Sequence, residues 1–483
     1  MTRILALDQG TSSTKAVLVD ATGAILAQAV APLASAYPQP GWAEQSASDI
    51  WASVQSAIAQ IVAQSGSDIQ GIAIANQRET LVVWDAETSQ PITPAILWQC
   101  RRTADTCAAL HAAGYDASVV AATGLSINPL FPASKLAWVM ANVPQAQTLA
   151  DQGRLRAGTV DAWLLWNLTG GESFATDHSN ASRTQLFNTA TLAWDADLGA
   201  LFNAPLHVLA QPKPSDSHFG DTASTTALPA GIPILSMMGD SHAALYGHGI
   251  RAPGSVKATF GTGSSLMALT PSRIASQHGL SGTIAWSTAI GPAYAIEGNI
   301  TVSAQAAAFM ATMLGLSNAA ALSDLAQTVS HSNGVTFVPA LAGLGAPHWN
   351  DRATGAIDGL THGTTPAHLA RATFEAITLQ IADVFTAMEQ DIGQPIASLR
   401  ADGGASANPF LMQLQADVLN RPVIRSDLAE LGALGTAAMA FSALGIDPEQ
   451  VLAGARSTTF TPNAAPQTLR AQWQAAITRA TQA

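Results

Sequence analysis

Two stretches of this chain, about 250 residues apart, share one make-up: an apolar strand-like run, a turn of glycine and hydroxyl residues, and a second apolar run. The first runs from Ala6 to Val17 around Gly10-Thr11-Ser12-Ser13, and the second from Gly254 to Met267 around Gly261-Thr262-Gly263-Ser264. A strand–turn–strand hairpin repeated half-way along a chain predicts a duplicated domain. Gly/Ser turns are common, so coincidence is the competing reading on pattern alone. With 483 residues the chain exceeds one ordinary core, which favours two large domains. The boundary is placed near His248–Pro253, giving units 1–248 and 249–483. Strand-like and helix-like segments alternate throughout, so the predicted class is α/β. Ser46 and Asp49 mark a helix start before the one-sided set Ile50, Trp51, Val54, Ile58, Ile61 and Val62. Ile72 to Ala75 then reads as a buried strand ending at Asn76-Gln77-Arg78-Glu79.

Composition closes off several classes. Hydrophobic residues make up 48% of the chain and charged ones 11%, which excludes a disordered protein. With 21 Lys+Arg against 33 Asp+Glu the formal charge is −12, which argues against a nucleic-acid binder. No run approaches the roughly 18–20 apolar residues of a membrane span. The N-terminus enters a strand pattern without a signal-peptide core, so no membrane partner and a cytoplasmic location are expected. Cys100 and Cys107 form no CxxC pair and read as idle thiols.

The turn Gly10 to Lys15 offers backbone N–H groups and hydroxyls for an anion, directly after Asp8, which stands where a hydrated Mg²⁺ could be held. A solvent-exposed hairpin is the plain alternative. There is no GxxxxGK[ST], no complete GxGxxG, no GxSxG and no HExxH. Gly403-Gly404 lies at a strand-to-helix junction, where an open backbone could receive a purine ring or simply make a tight turn. Asn408 and Pro409 read as the cap and first residue of the next helix, with Phe410, Leu411, Leu414, Val418 and Leu419 as its apolar face. Asp240, after the apolar run Ile232 to Met238, suits a general base, or else the cap of a helix starting at Ala243. Arg78-Glu79 is suited to holding hydroxyl groups, or is an ordinary surface pair. Trp98 is of a type found in a core more often than in a ligand wall, and both readings stand on residue type alone.

Taken together and in order, these pieces resemble the FGGY carbohydrate kinases, and within them the glycerol kinases. The resemblance covers nearly the whole chain: Leu7 to Thr11, Asn76 to Thr80, Trp98 to Ala104, Asn180 to Thr184, Gly343 to Trp349, and Gly355 to Leu360 followed by His368-Leu369 and Ala372 to Glu375. It implies two ribonuclease-H-like domains of the actin/hexokinase superfamily closing over a cleft. It further implies ATP- and Mg²⁺-dependent phosphorylation of a small polyol or sugar, as of glycerol to glycerol 3-phosphate. By the same resemblance Thr11, Ser12, Ser13 and Lys15 contact ATP phosphates from the first hairpin and Thr262 from the second. Ala304 lies near the nucleotide in place of a glycine, and Gly404 and Asn408 on the adenine side. Asp8 helps to hold Mg²⁺, Asp240 is the general base, and Arg78, Glu79 and Trp98 contact the polyol.

The departures fall on the substrate side. Leu130 stands for an expected Tyr, Ser241 for Gln and Ser265 for Phe, while Lys15 replaces Arg. Smaller side chains predict room for a longer polyol or ketose, such as erythritol, xylulose or ribulose. A non-catalytic nucleotide-binding regulator and a degenerate kinase are the rival readings. The short loop Ala227 to Pro233 has no basic residue, which predicts no inhibition by sugar bisphosphates. The family implies a homo-oligomer, dimer or tetramer, but the sequence identifies no interface.

Overall fold

The first apolar runs form the antiparallel hairpin β1 (Arg3–Gln9) and β2 (Ser13–Asp20), extended by β3 (Ile25–Pro32). The chain then crosses through α1 (Ala47–Ser65) to β4 (Gly71–Asn76), parallel to β1. The short edge strand β5 (Gly220–Asp221) and β6 (Pro233–Gly239), parallel to β4, complete a sheet of order β5-β6-β4-β1-β2-β3. After α2 (Asp240–Gly247) the plan repeats. It comprises β7 (Ser255–Phe260), β8 (Ser264–Leu269), β9 (Ser281–Thr288), β10 (Gly291–Ile300), α3 (Pro366–Ile392), β11 (Ser398–Asp402), α4 (Pro409–Leu419), β12 (Val423–Ser426), α5 (Leu431–Ala443) and β13 (Ser457–Phe460). The second sheet runs β9-β10-β8-β7-β11-β12-β13. In both sheets an antiparallel meander is continued by two parallel strands, so the duplicated hairpins head two copies of one architecture. This computed structural model describes residues 2–428, 430–454, 456–463 and 468–482. Among the described residues no helix is long and apolar enough to cross a membrane.

The local structure follows its residues. Ser46 caps α1 by accepting the Asp49 N–H at 3.1 Å, and Ile50, Val54, Ile58 and Ile61 are buried. Trp51 and Val62 sit at the edge of that face. Asn408 caps α4 by accepting the N–H groups of Phe410 and Leu411.

β1 is apolar at every position from Ile4 to Leu7 because both its faces are covered. Leu5 and Leu7 join the core under α1, whereas Ile4 and Ala6 join a second core with Ala433, Leu434 and Ala437 of α5. A helix from the second half therefore covers the sheet of the first. It crosses α2 in backbone contact: a Cβ on Gly435 would lie 1.8 Å from the Ala243 carbonyl oxygen, and one on Gly247 would lie 2.4 Å from that of Leu431. Only glycine admits this approach.

Candidate active site

Strand ends aim the polar residues into the cleft between the two sheets, as open α/β sheets characteristically do. β4 ends at Asn76, whose side chain exchanges two hydrogen bonds of 3.0 Å with Asn180. This locks Asn76 to Thr80 against Asn180 to Thr184 and sets Arg78 and Glu79 beside Arg183.

Arg78 and Glu79, adjacent in sequence, do not pair with each other. Arg78 donates from Nε to Asp240 at 3.1 Å and grips Glu297 with its two terminal nitrogens at 2.9 and 2.8 Å. Arg183 lies 2.9 Å from Glu297 and donates to Glu79 at 2.7 Å. A continuous chain of charges results: Asp240, Arg78, Glu297, Arg183, Glu79. Arg183 and Glu297 have no solvent exposure, while the Asp240 side chain is 40% exposed and is the member that reaches the cleft. Burial alone would raise the Glu297 carboxyl, but Arg78 and Arg183 outweigh it and hold it well below the usual range. Burial works against the Arg78 charge too, and Glu297, Glu79 and Asp240 outweigh it.

Glu79 adopts φ +60°, uncommon for a residue with a Cβ. Its carbonyl accepts a hydrogen bond from Lys135 Nζ at 2.8 Å, and the same amine donates to the Leu130 carbonyl at 2.7 Å. Lys135 is fully buried, which pushes its amine down to about 7 against the pull of Glu79. Leu130 is thus fixed by its backbone, with its side chain partly buried. On the opposite wall Ser265 donates to Glu297 at 2.9 Å, and its hydroxyl lies 3.3 Å from that of Ser241.

Asp240 is the first residue of α2, so the helix begins three residues before the expected Ala243. Gly239 permits this, since a Cβ there would lie 2.6 Å from Arg78 Cδ. The Asp240 carboxylate accepts the N–H of Ser241 and of Arg78 Nε, held at the positive end of the helix.

On the phosphate side, Asp8 pairs across the first hairpin with Lys15. Burial and the charge of Asp240 push the Asp8 carboxyl up to about 7. Lys15 is committed to Glu430, at 3.0 Å. Ser12 and Thr262 are the exposed tips of the two hairpins, and Ser13 is partly buried. The Thr11 hydroxyl accepts from the Trp98 indole at 3.0 Å and donates to Gln77 at 3.3 Å. Trp98 is not a core residue: its side of the cleft leaves it 39% exposed. The Ala304 N–H donates to the Gly261 carbonyl, keeping the second turn against the helix that follows. Gly404 faces open space, while Asn408 is occupied by its cap and by a bond to Ser323 at 3.0 Å. Cys100 and Cys107 are buried and unpaired.

The reading from sequence missed Glu297 and gave Arg183 no role. Glu297 had a signal: it is the one charged residue in the ten-residue run of β10. Among the described residues no three His, Cys, Asp or Glu side chains converge as a metal cage.

Comparison with known proteins identifies the family and the fold. Residues 3–247 match the N-terminal domain of the FGGY family of carbohydrate kinases, and residues 256–444 match its C-terminal domain. An apulose kinase of Pectobacterium atrosepticum is 45% identical over 99% of this chain and 98% of its own length. A glycerol kinase of Burkholderia cenocepacia is 46% identical over 92% of this chain and 89% of its own. The crystal structure of Plasmodium falciparum glycerol kinase with ADP superposes with a TM-score of 0.93 at 29% identity, covering 99% of this chain and 98% of that one. The chain belongs to the FGGY family of carbohydrate kinases and is an ATP-dependent sugar or polyol kinase.

Proposed function

We propose that this kinase acts on a sugar or polyol of four or five carbons in preference to glycerol, with Asp240 as the general base. The observation that carries the reading is the Ser241–Ser265 pair, 3.3 Å apart, on the wall where glycerol kinases present an amide and a ring. Two hydroxyls in their place widen the pocket and supply hydrogen bonds for an additional carbinol or carbonyl group. A relative bearing the name apulose kinase, aligned over nearly its whole length, supports a sugar of this size.

In this mechanism Arg78 and Glu79 hold substrate hydroxyls, Trp98 and Leu130 line the cleft, and Asp240 takes the proton of the attacking hydroxyl. That oxygen bonds to the γ-phosphorus of ATP as the bond to the β-phosphate oxygen breaks and ADP leaves. Arg78 keeps Asp240 oriented, since its Nε hydrogen bond fixes one carboxylate oxygen. Thr11, Ser12, Ser13 and Thr262 would surround the phosphates, with Gly404 and Asn408 toward the adenine. Ala304 steadies the second turn, and Lys15 acts as a nearby charge. Asp8 suits Mg²⁺, because a cation would offset both the burial and the Asp240 charge that raise its carboxyl; Mg²⁺ supplies neutralisation of phosphoryl charge. The lobes would divide at His248–Pro253 and close over the substrate, excluding water as a competing acceptor.

The test is coupled ADP release with Mg-ATP across glycerol, erythritol, xylitol, D-xylulose, L-ribulose and apulose, with Asp240→Asn as control. A higher kcat/KM for a four- or five-carbon compound is expected. Preference for glycerol would overturn the substrate assignment while leaving the kinase chemistry in place.

A further inference from the structure

Behind the catalytic cleft, at the far end of α2, a polar cavity of ≈ 230 Å³ opens between the Gly247–Gly249 segment and the second sheet. Its basic lining comes from Arg400 on β11 and from Arg456, and its hydroxyls from Ser426 and Ser457. Arg400 donates through Nη1 to the His248 carbonyl at 3.0 Å, and its Nε is buried without a hydrogen-bond partner among the described residues. The lining carboxylate, Glu449, is already paired with Arg251 at 3.0 Å. The His248 imidazole is held by Asp402 at 2.7 Å. The carbonyls that end α2 are partly covered as well: Arg251 donates to that of Tyr246, and Arg400 to that of His248. Neither Arg400 nor Arg456 has a carboxylate within salt-bridge distance among the described residues, so the cavity carries uncompensated positive charge.

We infer that this cavity is an anion site for a phosphate monoester of a small metabolite or for inorganic phosphate, distinct from the nucleotide and sugar sites. Guanidinium groups and hydroxyls are the donors that recognise phosphate oxygens. The volume lies below the roughly 300 Å³ at which ordinary small-molecule pockets begin, which suits a phosphate bearing a few carbons. The site joins Gly247–Gly249, between the two sheets, to Arg400, Ser426, Arg456 and Ser457 of the second half. An occupant would therefore bridge the segment that links the lobes. The inference stands whether or not the sugar assignment is right.

The test is isothermal titration calorimetry of the full chain with its catalytic cleft filled by a non-hydrolysable ATP analogue, Mg²⁺ and a saturating sugar or polyol substrate. One arm titrates inorganic phosphate and the other glycerol 3-phosphate. Saturable binding of either is expected, tighter for the monoester if its carbons are recognised and equal if only the phosphate is. Arg456→Glu, at an exposed position, and Arg400→Gln are each expected to weaken it by at least about tenfold. Nucleotide affinity should not change in Arg456→Glu. If Arg400→Gln fails to fold, Arg456→Glu decides alone. Absence of saturable binding up to about 10 mM of both anions would overturn the proposal, as would unchanged affinity in a folded Arg456→Glu protein.

Discussion

Glu297 has no contact with solvent, yet it grips two guanidinium groups, so its charge is what allows Arg78 and Arg183 to be buried at all. Replacing it by Gln leaves two buried cations short of a partner, a loss of about 3–5 kcal/mol for breaking such a pair. Urea unfolding of Glu297→Gln should show that loss. Asp240 sits at the open end of the same chain, and its expected behaviour differs. Asp240→Asn keeps a hydrogen-bond acceptor for Arg78 and removes the proton acceptor, so phosphoryl transfer should fall by at least about two orders of magnitude. Nucleotide affinity, measured by calorimetry, should remain close to that of the parent; an equal loss of both would remove Asp240 from the role of base. Lys135 gives a pH signature. Its amine titrates near 7 when folded and near 10.5 when unfolded, so the unfolded chain holds more protons in that window. The contribution of this group to stability therefore rises as pH increases from about 7 to about 10, and Lys135→Met should abolish that rise in urea midpoints measured across the window.

At the scale of elements, α2 ties the chemistry to the frame. It starts with Asp240, the carboxylate proposed as the base, and is crossed by α5 at Gly247 and Gly435. Gly435→Ala would force a methyl group into the Ala243 carbonyl, at a cost of at least about 1–3 kcal/mol as an overpacked contact. Because α2 must move to relieve it, kcat should fall along with the melting temperature, although Gly435 touches no substrate. A thermally destabilised variant with unaltered kcat would show that α2 is not the positioning element. The start of α2 was readable in principle, since an aspartate suits the first turn of a helix. Reading Asp240 as a cap put the start at Ala243 instead, and the contact that requires Gly239 comes from Arg78, 161 residues earlier in the sequence.

For the whole molecule, two copies of one sheet architecture each carry an exposed hairpin tip, at Ser12 and at Thr262. Lobe closure should protect the amides of both turns from hydrogen exchange when nucleotide and sugar bind together, and protect them less with nucleotide alone. Much of this was fixed by the chain itself. Apolar runs, their glycine and hydroxyl turns, and the caps at Ser46 and Asn408 determined the class, the duplication and most elements, because each depends on neighbours a few residues away. The same apolar runs put Asp8, Arg78, Glu79 and Asp240 at strand ends, and the family resemblance supplied the roles expected of them. What only the tertiary structure decided was pairing over long distances. Arg78 chose Glu297 and Asp240 over the adjacent Glu79, Glu79 chose Arg183, Trp98 turned out to the cleft, and α5 crossed to cover the sheet of the first half. Adjacent residues point to different neighbours once the backbone is folded, and the partner of a buried charge is whichever opposite charge the sheets bring within about 3 Å, wherever it lies in the sequence.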